Sequence, residues 1–222
     1  MARRHLIATV VCVLLLAGCG SSTSKTSTTA SSASAATTTG PTTTSSSRQI
    51  GFEGMPIEQG SSIAPASSTG TKPVDGITCG LKEQLAYHIH AHLLVFANGQ
   101  PRALPGGIGI PGSQVVQSTE GPVASGGHCI YWLHTHAPDG VIHVESPTKR
   151  IYTLGNFFDI WRQPLSRTQV GDIKGTISAF VNGKPWTKDV RSIPLLPHAV
   201  IQFNVGEPPV PFQSVAWGAT QL

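Results

Sequence analysis

The chain has 222 residues, of which only 12% are charged, and a formal charge of +4. That length suits one domain of ordinary size with extensions rather than several domains. Few charges, no basic stripe and no interleaving of aromatic with basic residues argue against a nucleic-acid partner.

Residues 1–18 have the make-up of an export signal. Arg3 and Arg4 supply the positive start, and residues 6–17 supply an apolar stretch too short for a membrane span. Losing Arg3 and Arg4 with the signal takes the formal balance from +4 to +2.

The apolar stretch ends in Leu16-Ala17-Gly18-Cys19, which resembles the lipobox of bacterial lipoproteins. The resemblance implies cleavage before Cys19 and a lipid on its sulfur. The mature protein would then sit outside the cytoplasm, tethered to the cell membrane by acyl chains. Residues 19–71 follow as a Ser/Thr-rich disordered linker. Residues 20–47 hardly contain a large apolar side chain, so they cannot bury enough surface to offset the entropy of ordering. Residues 50–55 are slightly more apolar and are candidates to dock on the body. The folded body is expected at 72–222.

Cys12 leaves with the signal and Cys19 carries lipid, so Cys79 and Cys129 remain. In an oxidising compartment they pair by default as a disulfide. A competing reading makes Cys129 a thiolate ligand of the blue-copper kind. A disulfide sulfur cannot serve there, and Met55, the only Met after the initiator, falls in the linker.

The body reads as mainly β. A strand is expected at 87–96, followed by an Asn98-Gly99 turn and a short return at 102–104. Gly and Pro punctuate 105–112, with a candidate strand at 113–118 and a loop at 121–127. Strands at 129–136 and 141–145 form a hairpin about Pro138-Asp139-Gly140, and a further strand is expected at 150–153. Leu154, Phe157, Phe158 and Trp161 have the i, i+3, i+4, i+7 spacing of a short helix closed near Pro164. Strands at 176–181 and 199–205 follow, with a turn at Asn182-Gly183. VFANGQP at 95–101 is echoed by AFVNGKP at 179–185. The fold expected is a single antiparallel β-sandwich or barrel with one short helix.

Seven of the nine histidines fall between His88 and His143. Side chains at i, i+2 and i+4 of a strand share a face. His88, His90 and His92 therefore form a row, with Tyr87, Ile89, Ala91 and Leu93 behind it. A two-residue Asp139-Gly140 loop sets His136 opposite His143 and His134 opposite Glu145, all on one face. A wall of imidazoles is a poor core and a good metal site. The leading ligands are His90, His134, His136 and His143, with His88 and His92 next. Imidazoles at i and i+4 stand about 13 Å apart. One ion would take a neighbouring pair from the first strand with one or two residues of the hairpin, and two ions also fit.

Glu145 is a ligand, a general base or an acceptor that orients His134. His128 and His198 read as packing residues, with His198 placed to supply a late ligand. Asp139 reads as turn chemistry and Asp159 as a solvated or capping carboxylate. His134-X-His136 resembles the metal motif of cupins, so a cupin-like or cupredoxin-like body is open. Glu145 lies farther from His136 than the cupin spacing, and no cupin ligands are carried over.

Nitrogen ligands favour copper or zinc, and two histidines with a carboxylate also admit iron or manganese; calcium and magnesium prefer oxygen. There is no nucleophile elbow, no H-E-x-x-H and no phosphate loop. The leading reading is a lipid-anchored extracytoplasmic protein that captures or hands on copper or zinc. A second is a metal-dependent hydrolase or oxidoreductase, with Glu145 as general base and a pocket lined by Trp132, Phe157 or Trp161. A third is a structural or pH-sensing surface module whose histidines charge below about pH 6.5.

Overall fold

Alternation of apolar and polar residues after Tyr87 produces strand β1 (Tyr87–Ala97). Asn98 and Gly99 both take positive φ, as a tight two-residue hairpin turn requires, and return the chain as β2 (Gln100–Arg102). The structure, a computed structural model, describes residues 48–66, 70–220 and 222. The expected signal, the Cys19 expected to carry lipid and the expected linker as far as residue 47 lie outside the described residues.

Five further strands complete the main sheet. They are β3 (Leu133–His134), β4 (Val141–Ser146), β5 (Ile177–Val181), β6 (Lys184–Trp186) and β7 (Ala199–Val205). Their order is β6-β5-β7-β1-β4-β3, with β2 also bonded to β1. The sheet is open and does not close into a barrel. Its architecture is mainly β and sandwich-like, with one α-helix among the described residues. One pairing departs from the antiparallel expectation: β7 runs parallel to β1, with Ala199 beside Ala91 and Val205 beside Ala97. A long connection separates these two strands in sequence, so no hairpin constrains them to run in opposite directions.

The echo at 95–101 and 179–185 is realised as two hairpins of equal register. Phe96 faces Pro101 in one, and Phe180 faces Pro185 in the other. Residues 121–127, expected as a loop, contain the strand Gly121–Ser125, which pairs with Gln114–Ser118.

One face of the sheet forms the core. Ala91, Leu93 and Val95 of β1, Ile142 and Val144 of β4, and Ile201 and Phe203 of β7 are buried there. Helix α1 (Leu154–Trp161) belongs to the same cluster and buries Leu154, Phe157, Phe158 and Trp161, as the spacing predicts. Burying each phenylalanine stabilises the fold by roughly 1.5–3 kcal/mol. Thr153 caps the helix in a capping box with Asn156, and Arg162 in the left-handed conformation ends it.

The opposite face carries His88, His90, His92, His143 and Glu145, and the terminal segments cover much of it. Gln202 and Asn204 of β7 donate side-chain amides to the Val210 carbonyl, at 3.0 Å each, and so hold the C-terminal segment. On the N-terminal side, Met55 is buried and lines the cavity that His92 faces, while Ile63 joins the core cluster of the other face and donates its N–H to the Ala103 carbonyl. Described residues ahead of 72 therefore pack on the body, Met55 and Ile63 among them. Apolar side chains at 55 and 63 draw into the body a stretch whose overall composition reads as linker.

Candidate metal centre

Pairing between β1, β4 and β3 assembles the histidines. His90 faces His143, His88 faces Glu145, and His134 faces His143 from the other side. The hairpin register differs by two residues from the tight-loop expectation, which set His134 opposite Glu145. Residues 135–140 form a longer connection, in which buried Asp139 accepts the Val141 N–H at 3.1 Å. A shift of two residues keeps every side chain on its expected face, because the side-chain period of a strand is two.

The result is a packed set of rings around His143. Its centroid lies 4.6 Å from those of His90 and His136 and 5.0 Å from that of His134, against which it stacks. His88 Nε2 lies 3.0 Å from His90 Nε2, and His134 Nε2 lies 3.1 Å from His136 Nε2. Glu145 Oε1 is 3.2 Å from His88 Nε2, 3.3 Å from His143 Nδ1 and 3.9 Å from His134 Nε2. The Tyr131 carbonyl accepts the Nδ1–H of His134 at 2.9 Å, which leaves the Nε2 lone pair turned into the cluster.

Two overlapping sets of side chains could each hold an ion: His88, His90, His143 and Glu145, and His134, His136, His143 and Glu145. Within each set the donor atoms lie within 4.8 Å of one another. Glu145 Oε2 is buried without a hydrogen-bond partner, whereas the ring nitrogens of His143, which lack good hydrogen-bond geometry, face the carboxylates of Glu53 and Glu145. Orphaned buried polar atoms are costly unless something else satisfies them, and a cation is suited to do so. Nitrogen with one carboxylate oxygen is the donor chemistry of a transition-metal site.

Electrostatics separate the histidines. Burial, reinforced by the neighbouring imidazoles, lowers His90 to about 3 and His136 to about 4, and holds His134 well below the ordinary range. These three rings are neutral near pH 7, the state a metal ligand needs. Burial acts on His143 in the same direction, but Glu145 and Glu53 outweigh it and raise this ring to about 9.

His92 stays outside both sets. It is buried beside Gly140, 6.3 Å from the Trp217 ring, and faces a cavity of about 590 Å³ with Met55 and Glu58. His198 stacks on Trp217 at 4.7 Å and lines a cleft of about 310 Å³ with His88 and His90. His128 packs over Gly112. Cys79 and Cys129 are joined in a disulfide, so Cys129 is not a thiolate ligand. Phe157 and Trp161 belong to the core cluster on the other face of the sheet, and Trp132 packs against that cluster, so the expected substrate-lining side chains serve the core.

Sequence reasoning missed Glu53 and Glu83. Glu53 Oε1 lies 2.9 Å from His143 Nε2, and Glu83 Oε1 lies 3.4 Å from His136 Nε2. A signal for Glu53 was present, a single acid inside the apolar, glycine-flanked run Gly51-Phe52-Glu53-Gly54-Met55. Comparison with protein-family models, curated proteins and solved structures finds no match to this chain.

Proposed function

We propose that this chain is a lipid-anchored, extracytoplasmic protein that binds copper or zinc through His88, His90, His134, His136, His143 and Glu145, and captures or hands on the ion. The observation that carries the reading is the convergence of three imidazoles and one carboxylate in each of two overlapping sets, with donor atoms within 4.8 Å of one another, around a Glu145 oxygen that has no hydrogen-bond partner. Access favours capture over a closed structural site. His88 is 39% exposed and His136 18% exposed, while His90 and His134 lie deeper, so an ion entering from solvent meets one outer ring of each pair first. The lipobox resemblance at Leu16–Cys19 and the disulfide both suit an oxidising, extracytoplasmic setting.

Elemental mass spectrometry of the full chain, purified without a histidine tag, tests the metal reading. Near-stoichiometric copper or zinc is expected, and it should be lost in a His134→Ala/His136→Ala variant. A parent that is empty and takes up no metal on titration refutes it. The anchor is tested separately by intact-mass analysis of membrane-extracted protein. A chain beginning at acylated Cys19 is expected, and Cys19→Ser should release the protein from the membrane.

A further inference from the structure

We propose that the centre holds two metal ions, bridged by the carboxylate of Glu145. One ion is bound by Nε2 of His88 and His90, and the other by Nε2 of His134 and His136. This rests on the metal-binding reading above and concerns the number of ions and their connection.

Two nitrogens on one tetrahedral ion at 2.0–2.1 Å are separated by about 3.3 Å. The gaps of 3.0 Å within the His88/His90 pair and 3.1 Å within the His134/His136 pair are each close to that edge length. Each pair is thus shaped to grip its own ion. The pairs fall into different sets, which share only His143 and Glu145. A single ion would engage one pair and leave the other joined only by its inter-ring hydrogen bond.

Glu145 stands between the pairs. Its Oε1 approaches both His88 Nε2 and His134 Nε2, while Oε2 is buried without a partner. Oε1, standing toward both pairs, is placed to be shared by two ions at the separation of about 3.5–4 Å typical of two-metal sites, with Oε2 free to join one of them. His143 is placed to add Nδ1 to this bridge region. Its Nε2 lies beside the Glu53 carboxylate, the outer-shell partner that a ligating histidine commonly has. Glu53 and Glu145 also put two negative charges where two divalent ions would bring positive charge.

The test loads metal-free full chain with excess Zn²⁺, removes unbound ion and counts zinc per chain by elemental mass spectrometry. Two per chain are expected in the parent, one in His88→Gln/His90→Gln and one in His134→Gln/His136→Gln. One ion in the parent overturns the proposal and leaves the metal-binding reading standing, whereas none overturns both. Electron paramagnetic resonance with two equivalents of Cu²⁺ tests the bridge. The parent is expected to show spin coupling, as lost intensity or a half-field line, and each pair variant an isolated copper signal. Two uncoupled spins in the parent overturn the shared bridge. Glu145→Gln is expected to weaken the second ion at least tenfold while circular dichroism shows the fold intact; two tight sites in that variant overturn the role of Glu145.

Discussion

The carboxylate of Glu53 lies 2.9 Å from Nε2 of His143, joining the N-terminal segment to the middle of the histidine cluster. Burial pushes Glu53 up, but His143 overrides it and holds the acid below the usual carboxylate range. His143 is raised in return. The pair is an ion pair out of reach of water, where neither charge is stable alone.

Glu53→Gln keeps the size of the side chain and removes its charge. His143 should then titrate below its value of about 9, because one of the two carboxylates that raise it is gone. Asp139 should move the same way. Burial pushes it up to about 8, and Glu53 is the next cause. Ring and carboxyl resonances followed by NMR across pH 4–10 in the metal-free protein check both shifts. An unchanged His143 would mean that Glu145 alone controls it.

The metal-free protein should be most stable near pH 6.5. His90, His92 and His136, ordinarily at 6.5, stand at about 3, 4 and 4 in the fold, chiefly through burial. The unfolded chain binds their protons first, so stability falls as pH drops from 6.5 toward 4. His143 has the opposite sign: its contribution is complete below 6.5 and is lost as pH rises through about 9. Asp139, raised from 3.8 to about 8, also loses its contribution as pH rises through that window. Burial holds Glu58 well above its ordinary value with the same sign. Between 4 and 6.5 the histidines outnumber these acids, and above 6.5 only the losses remain. Thermal unfolding in a chelator across pH 4–10 should give a peaked curve, and a midpoint rising steadily to pH 9 would contradict the assignment.

How far the site was legible follows from which interactions are local. The β1 face was legible because strand alternation is a period-two property that tertiary contacts did not disturb: His88, His90 and His92 share a side, with Ala91 and Leu93 in the core. The face of His134, His143 and Glu145 was legible for the same reason, although their register was not. Register depends on the loop, and Asp139 makes a buried Asx-type contact to Val141 in place of a two-residue turn. His92 lies on the right face but too far along the strand to join either set. Glu53 was hidden because its partner comes from a distant strand: the apolar run at 50–55 marks a segment that docks on the body, but nothing local says which residue its acid meets. The parallel β7–β1 pairing was hidden likewise.

Removing the disulfide should loosen the approach to His136 as well as the fold. Cys79 and Cys129 are 50 residues apart in sequence and join the strand pair Cys79–Gly80 and Ile130–Tyr131. Closing a loop of that length stabilises by about 2–4 kcal/mol. Glu83, which contacts His136, follows directly after this tie. Cys79→Ser/Cys129→Ser should lower stability to chemical denaturant by that amount. It should also weaken the ion held by His134 and His136 more than the ion held by His88 and His90. Equal weakening of both would show that the tie acts on the fold as a whole.

Gly140→Ala and Gly126→Ala separate backbone strain from crowding at the site. Both glycines take positive φ, 82° and 74°. A Cβ at 126 meets nothing within 4 Å, so that substitution carries only the cost of a left-handed alanine, about 1 kcal/mol. A Cβ at 140 would stand 2.5 Å from His92 Cε1 and 2.7 Å from Glu58 Oε1. The Gly140 carbonyl also accepts the Leu93 N–H at 2.9 Å, so the backbone has little room to retreat from β1. Gly140→Ala should therefore cost about 1–3 kcal/mol beyond Gly126→Ala, measured by denaturant unfolding. Because His92 lies outside both ligand sets, the number of ions bound should stay the same. A loss of metal in Gly140→Ala with the fold retained would place His92 or its strand segment in the centre after all.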